Sequence, residues 1–225
     1  MLPALAKRAV SEALATAFLV ATVVGSGIMA ERLAGGNVAI ALAANTLATG
    51  AALVALILAF GPISGAHMNP AVTLAAAMER QLRWGDVPAY IAAQITGGVA
   101  GTAAAHSMFS LPLYTFSTHA RRGGAMVFSE FIATFGLLAV IWGCTRSRPG
   151  ATPFAVAAYI TAAYWFTAST SFANPAVTIA RALTNTFSGI RPNDVPAFLA
   201  AQIVGALAAT LLFRWLLPST EGMES

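Results

Sequence analysis

The residues most able to do chemistry form two copies of one short motif. Asn-Pro-Ala-Val-Thr occurs at residues 69–73 and recurs unchanged at residues 174–178. Asparagine is a preferred helix N-cap and proline is favoured at the first helical position, so each copy predicts a helix start. Helix N-termini and Asn amides disfavour a passing cation but suit an uncharged molecule with oxygen lone pairs. The residues of the two boxes are Asn69, Pro70, Ala71, Asn174, Pro175 and Ala176.

The composition indicates that a membrane surrounds these motifs. Of 225 residues, 58% are apolar and only 9% are charged, and the mean hydropathy is +0.74. Soluble domains carry about 25% charged residues, which excludes an enzyme-sized soluble lobe. A spanning helix needs about 20 apolar residues, so the chain has room for about six. We place these spans near residues 9–30, 38–60, 86–108, 126–145, 153–168 and 194–217.

The two halves of the chain repeat each other in order. Besides the Asn-Pro-Ala motif, residues 86–97 return as residues 194–205 with nine of twelve positions identical. Each half, about 9–108 and 126–217, therefore has three spans and a short segment, at 69–79 or 174–184, too small to cross a bilayer. After an odd number of crossings the chain is on the opposite side of the membrane, so the second half begins from that side and is inverted relative to the first. The prediction is one all-α integral membrane domain, residues 1–225, with six spans and two re-entrant half-helices that meet at mid-membrane.

Charge and cysteine content argue against other protein classes. The net charge of +4 comes from basic residues that lie singly or in pairs beside apolar runs, as loop anchors do, so we expect no nucleic acid partner. The single Cys144 cannot form an internal disulfide, and no catalytic cluster, phosphate loop or metal-ligand spacing occurs. We therefore expect neither enzyme activity nor a metal or cofactor. The distribution of Lys and Arg favours two cytoplasmic termini.

Extended backbone precedes each Asn, and its polar groups cannot stay unpaired in lipid. Irregular backbone at membrane depth is tolerated where it lines a polar cavity. The sequence thus predicts two short ladders of carbonyl groups that continue the path on either side of the boxes. The contributing residues are Gly65, Ala66 and His67 in the first half, and Thr170, Ser171 and Phe172 in the second.

With these features in place, the chain resembles the aquaporins, or major intrinsic proteins. The resemblance rests on the two boxes, on Ser64-Gly65-Ala66-His67, and on a Glu at the start of both first spans, and it covers nearly the whole chain. It implies a right-handed bundle of six tilted helices plus two half-helices. It also implies one pore per subunit and a homotetramer in the bilayer.

Glu12 and Glu130 are ionisable residues inside predicted spans, at equivalent points of the two halves. Such groups suggest function, so a proton-coupling site and a structural brace are both open interpretations. Their matched positions favour braces that accept hydrogen bonds from the re-entrant loops, including one from the His67 side chain. His106 and His119 are predicted to be loop or span-end residues.

The chain departs from the aquaporin pattern after the second box. The family normally carries an arginine there that narrows the outer filter and repels cations, whereas this chain has Val177. Counting from the boxes assigns the remaining filter positions to Thr49, Ala162 and Ser171. With no charged and no aromatic residue, this filter should be wide and should discriminate weakly by hydrogen bonding.

Two neighbouring residues raise further expectations. Arg181 lies one helical turn beyond Val177, on the same face. It either supplies the missing charge at a wider point or anchors a loop or carbonyl group. Ser171 stands where mercury-sensitive relatives carry a cysteine, and Cys144 is predicted at the far end of the fourth span, so mercurials should not block the pore.

The valine variant resembles the arsenic-associated bacterial aquaglyceroporins. That resemblance implies a passive inner-membrane channel for arsenous acid, related metalloid acids and small polyols, with a role in arsenic efflux. Alternatives are a channel dedicated to water or glycerol, an ion-coupled transporter that uses Glu12, Glu130 or His67, and a structural protein with a closed pore.

Overall fold

The computed structural model describes residues 3–216, and the regular elements in that range are helices. This confirms the predicted all-α class. Residue 217, where the second repeat was expected to end, lies outside the described residues. The eight α-helices are α1 (Leu5–Leu33), α2 (Val38–Ser64), α3 (Pro70–Met78), α4 (Val87–Met108), α5 (Gly124–Ser147), α6 (Thr152–Phe166), α7 (Pro175–Arg181) and α8 (Val195–Leu216).

The helices fall into long spans and short re-entrant segments. Four are long and apolar enough by themselves to cross a membrane: α1, α2, α5, and α8 together with the turn before it. Helices α4 and α6 complete the bundle, α4 against α1 and α6 against α2 and α5. By contrast, α3 has nine residues and α7 has seven. At about 1.5 Å per residue neither can cross a bilayer, as expected for half-helices.

The inverted repeat is visible in how helices pair. In the first half α4 packs mainly on α1, and in the second half α8 packs mainly on α5. In both pairs the backbones come into contact at the final glycine of the repeated twelve-residue block. A Cβ atom at Gly97 would overlap the carbonyl oxygen of Ala13, and one at Gly205 would overlap that of Phe131. Glycine is required at both points because the two backbones touch.

Ion pairs fasten the face where α1 begins and α8 ends, called here the terminal face. Glu79, just after α3, pairs with Arg146 of α5 and Arg214 of α8. Arg8 donates to Asp86, 2.9 Å away, before α4. Hydrogen bonds from Arg8 and Arg83 hold the pKa of the Asp86 carboxyl below its ordinary value. The opposite side, formed by residues 109–123 and 182–194, is called the far face.

Candidate functional site

The two Asn-Pro-Ala boxes meet and are joined by reciprocal hydrogen bonds. The Asn69 side-chain oxygen caps α3 through the Ala71 N–H, and Asn174 caps α7 in the same way. Asn69 Nδ2 donates to the Ala173 carbonyl at 2.8 Å, and Asn174 Nδ2 donates to the Met68 carbonyl at 2.7 Å. An amide nitrogen has two hydrogens, so each Asn keeps one donor for another acceptor.

Both loops that lead to the boxes adopt backbone conformations that most residues avoid. Ala66 and Met68 have φ values of 47° and 49°, and Ser171 and Ala173 repeat them with 50° and 48°. Left-handed φ at a residue other than glycine costs about 1 to 2 kcal/mol. These loops therefore need hydrogen bonds from the surrounding helices to hold their shape.

The two glutamates provide those hydrogen bonds. Glu12 and Glu130 have no solvent exposure. Glu12 accepts from the backbone N–H groups of His67 and Met68, and Glu130 accepts from those of Phe172 and Ala173. The geometry is that of a brace. The expected bond from the His67 side chain is wrong, since the His67 Nδ1 lies 3.1 Å from the Thr73 hydroxyl instead.

Two glutamines complete the braces and were missed by the sequence reasoning. Gln94 Nε2 lies 2.7 Å from Glu12 and 2.9 Å from the Thr73 hydroxyl. Gln202 Nε2 lies 2.6 Å from Glu130 and 2.9 Å from the hydroxyl of Thr178. Each glutamine thus ties a brace to the half-helix of its own repeat. The sequence could have pointed to them, because they are matching polar residues in the repeated twelve-residue block.

A cavity of about 240 Å³ runs past the boxes between the helices. Its wall is mostly apolar and receives Leu19 and Val23 from α1 and Leu137 and Ile141 from α5. Of the residues predicted to supply carbonyl groups, Thr170 is absent from the wall. The predicted residues that do line it are Thr49, Gly65, Ala66, His67, Asn69, Ser171, Phe172, Asn174, Val177 and Arg181.

One of the four residues predicted for the filter is in the wrong place. Ala162 is exposed on the outside of α6 and does not line the cavity. The inward face of α6 carries Ile160 and Tyr164, because residues four apart share one face of a helix. The Tyr164 hydroxyl lies 3.4 Å from that of Thr49. The cavity wall beside Thr49 therefore contains an aromatic side chain that the counting rule did not predict.

Arginines gather on the far face of the cavity. Arg181 is 2% exposed and its Nε donates to the carbonyl of Ser188. Arg121 comes from the loop after α4 and donates its backbone N–H to Asp194. Asp194 also accepts a hydrogen bond from the Arg191 side chain at 2.8 Å.

The two other histidines occupy the predicted regions with different surroundings. His119 lies in the loop between α4 and α5. His106 lies in the last turn of α4, but it is 1% exposed. Its Nε2 is 2.7 Å from the Thr184 hydroxyl and its Nδ1 is 2.6 Å from the Pro112 carbonyl. His106 thus joins two far-face loops to the end of α4 and takes no part in the cavity wall.

Comparison with known proteins agrees with this architecture. The family model described as "Major intrinsic protein" matches residues 2–165 and 150–224. The chain is 56% identical to Aquaglyceroporin AqpS of Rhizobium meliloti (strain 1021), over 95% of this chain and 91% of that protein. It is 32% identical to Aquaporin NIP1-3 of Oryza sativa subsp. japonica, over 93% of this chain and 73% of that protein.

A solved structure shows the same fold. The X-ray structure of the aquaglyceroporin from Plasmodium falciparum has a TM-score of 0.76 and 20% identity, and the match covers 96% of this chain and 98% of that chain. Because the proteins of this family are channels, this chain is not an enzyme. The chain belongs to the major intrinsic protein family and is a membrane channel for solutes of the water and glycerol type.

Proposed function

We propose that this channel passively conducts small uncharged hydroxylated solutes, above all arsenous acid and glycerol-like polyols, and also water. The carrying observation is the ring of groups near the far face. Thr49, Tyr164 and Ser171, three hydroxyl-bearing residues from three different elements, line one cavity together with Val177. A solute with three hydroxyls, such as arsenous acid or glycerol, can exchange hydrogen bonds with such a ring while its apolar side contacts the valine.

The centre of the cavity supports an uncharged solute. Asn69 and Asn174 each keep one amide N–H free after the reciprocal bonds to Ala173 and Met68. These donors suit a hydroxyl oxygen and offer no negative charge to a cation. The walls between them are aliphatic, so a solute that passes is held at few points and can leave again.

Valine at position 177 favours a wide range of solutes over strict selectivity. A valine neither narrows the path as an arginine does nor requires a particular hydrogen-bonding partner, and apolar pockets discriminate weakly between solutes of similar size. Arsenous acid is uncharged near neutral pH and about the size of glycerol. We therefore extend the substrate range to it and assign the channel a role in efflux of arsenous acid formed inside the cell. Direction follows the gradient.

Coupling to an ion gradient has little support in the geometry. Such a transporter needs a titratable group that changes partners. Glu12 accepts bonds from two backbone N–H groups, a serine hydroxyl and Gln94. Glu130 is held by two backbone N–H groups and Gln202. If either carboxylate changed partners, the strained loop would lose the hydrogen bonds that hold its shape. In this proposal both glutamates are therefore structural braces.

The cellular setting forms part of the proposal. We place the protein in the inner membrane as a homotetramer with both termini cytoplasmic. The terminal face carries Lys7, Arg8, Arg80, Arg83, Arg146, Arg148 and Arg214, which is the larger share of the twelve basic residues and accords with the positive-inside rule.

Stopped-flow light scattering on proteoliposomes tests the substrate range. Water, glycerol and arsenous acid are compared for the wild type and for Val177→Arg. We expect rapid wild-type flux of both larger solutes, and a decrease of about tenfold or more with the arginine, equivalent to about 1.4 kcal/mol. Thr115→Arg adds the same charge to an exposed far-face loop and serves as the matched control with wild-type flux.

Each other outcome has a distinct meaning. Glycerol flux without arsenous acid flux would leave a glycerol channel and remove the arsenic assignment. Flux that is indifferent to Val177→Arg would contradict the filter position. Flux that requires a proton or sodium gradient would favour the coupled transporter, and absence of all flux would favour a closed pore.

A further inference from the structure

Arg181 occupies an unusual position for a charged side chain. It is the last residue of α7, four residues beyond Val177, and lines the cavity while only 2% exposed. Four residues of α-helix rise about 6 Å, so Arg181 lies one turn nearer the far face than Val177. The equivalent residue of the first half is Ala76, which also lines the cavity. The charge is therefore present at only one of the two pseudo-equivalent positions.

An aromatic ring holds the guanidinium in place. The Cζ atom of Arg181 lies 3.3 Å from the ring centroid of Phe172, and its Nε donates to the Ser188 carbonyl. Phe172 is itself fixed edge-on against Phe198. Within residues 3–216 the Nη atoms of Arg181 have no hydrogen-bond partner, and no carboxylate forms an ion pair with it. The guanidinium is thus held at the cavity wall by π and carbonyl contacts rather than by an ion pair.

A second arginine reaches the same ring from a different element. The Cζ atom of Arg121, in the loop between α4 and α5, lies 4.9 Å from the Phe172 centroid. Its side chain donates to the carbonyls of Ser169 and Gly189, at 3.0 Å and 2.8 Å. Among the described side chains no carboxylate pairs with Arg121 either. Two guanidinium groups without a direct ion-pair partner in the described part of the chain thus flank the Phe172 ring, and the nearest carboxylate the structure gives this residue is Glu130, which accepts from the Phe172 backbone N–H.

The adjacent wall presents a free polar group. Ser171 lines the cavity and is 2% exposed, and its hydroxyl has no hydrogen-bond partner in the described structure. A buried hydroxyl without a partner is costly unless something that passes through the cavity binds it. The far end therefore combines positive charge with a buried hydroxyl that has no partner among the described residues.

We propose that Arg181, stacked on Phe172 and assisted by Arg121, is the charge that excludes cations from this pore. The inference rests on the proposed conduction of neutral solutes. Width and charge are then set by different residues: Val177 and its neighbours set the width, and Arg181, one turn further out, sets the sign of the potential. A cation must lose hydration in a low-dielectric cleft whose wall carries Arg181, with Arg121 close by on the Phe172 ring, whereas a neutral solute meets no such barrier.

Cation leak in proteoliposomes tests this assignment. Arg181→Met keeps an unbranched side chain and removes the charge. Proton and sodium influx are driven by a potassium diffusion potential and divided by glycerol flux through the same vesicles, which counts assembled pores. We expect this ratio to rise about tenfold or more, since one charge in a focusing cleft changes local ion concentration by that order. Arg122→Gln, an exposed neighbour outside the cavity, is the charge-matched control and should leave the ratio unchanged.

Rescue separates a role of the charge from a merely structural role. Val177→Arg added to Arg181→Met returns a charge to the pore one turn away and should restore exclusion, although it does not restore the stack on Phe172. Because Val177→Arg itself lowers glycerol flux, the cation leak of this double variant and of Arg181→Met is compared per amount of protein incorporated into the vesicles. Because Arg181 also donates to Ser188, its variant can fail to insert. Arg121→Gln then removes the second positive charge near Phe172. We expect it to raise the ratio of cation influx to glycerol flux about threefold.

The failures can be told apart. A wild type that passes no glycerol would overturn the proposed function and this inference with it. Glycerol flux with an unchanged cation ratio in Arg181→Met would overturn this inference alone. If that variant does not assemble, an unchanged ratio in Arg121→Gln would overturn it.

Discussion

The Asn69 side chain donates to the backbone carbonyl of Ala173, 104 positions further along the chain. The reciprocal bond from Asn174 to Met68 closes a two-part junction between the inverted halves. Each Asn therefore has two tasks, one as helix cap and one as link to the other half. The remaining amide hydrogens mark the centre of the path.

This junction predicts coupled stability effects. Asn69→Ala and Asn174→Ala each remove a cap, worth about 1 kcal/mol, and a cross-link of about 1 kcal/mol. The double variant should lose less than the sum, because breaking one link loosens the partner loop. Thermal unfolding in detergent measures this. Asn37 caps α2 without any cross-link, so Asn37→Ala should add to Asn69→Ala. Additivity in the central pair would contradict a shared junction.

The braces predict a large effect from a neutral substitution. Glu12→Gln or Glu130→Gln turns one acceptor oxygen into a donor that faces a buried N–H group, at a cost of about 2 kcal/mol. We expect lower melting temperatures for both variants in detergent. Glu31→Gln, at an exposed site on α1, is the control. Unchanged stability together with loss of a proton-dependent flux would instead indicate a coupling site.

The corrected filter predicts where the chain controls solute size. Tyr164→Ala removes the aromatic side chain beside Thr49, so we expect flux of a four-carbon polyol, relative to glycerol, to rise about tenfold, or about 1.4 kcal/mol. Ala162→Val changes a side chain outside the cavity and should leave that ratio at the wild-type value. The measurement is stopped-flow swelling of proteoliposomes. If the flux ratio changed in Ala162→Val but not in Tyr164→Ala, the filter residue on α6 would be Ala162, as counting from the boxes assigned it.

Mercurial sensitivity tests the position of Ser171 in the path. Cys144 lies in α5, partly buried and outside the cavity wall, so the wild type should conduct glycerol in the presence of a mercurial. Ser171→Cys puts a thiol on the wall and should give inhibition that a reducing thiol reverses. Rapid inhibition of the wild type that Cys144→Ser abolishes would place Cys144 in the path instead.

The arrangement of elements was predictable because it depends on local signals that recur. Apolar runs, the twice-repeated Asn-Pro-Ala-Val-Thr and the repeated twelve-residue block specify spans, half-helices and their inversion. Even the brace could be predicted in outline, since Glu12 and Glu130 occupy matching places. The bond partners could not, because which N–H group, imidazole or amide reaches a carboxylate depends on distances between helices. The His67 side chain lies within hydrogen-bond distance of Thr73. Gln94 and Gln202 donate to the Glu12 and Glu130 carboxylates, respectively.

The filter shows the limit of counting along a chain. The helix period puts Ile160 and Tyr164 on the same face of α6, but sequence alone does not tell how α6 is rotated about its axis. Packing of α6 against α2 and α5 decides that rotation, and it turns Tyr164 inward and Ala162 outward. Likewise, sequence places Arg181 one turn after Val177. Only the tertiary structure folds Phe172 back onto Arg181 and brings Arg121 to the same ring, because Arg121 lies on a distant loop that reaches this segment through long-range packing.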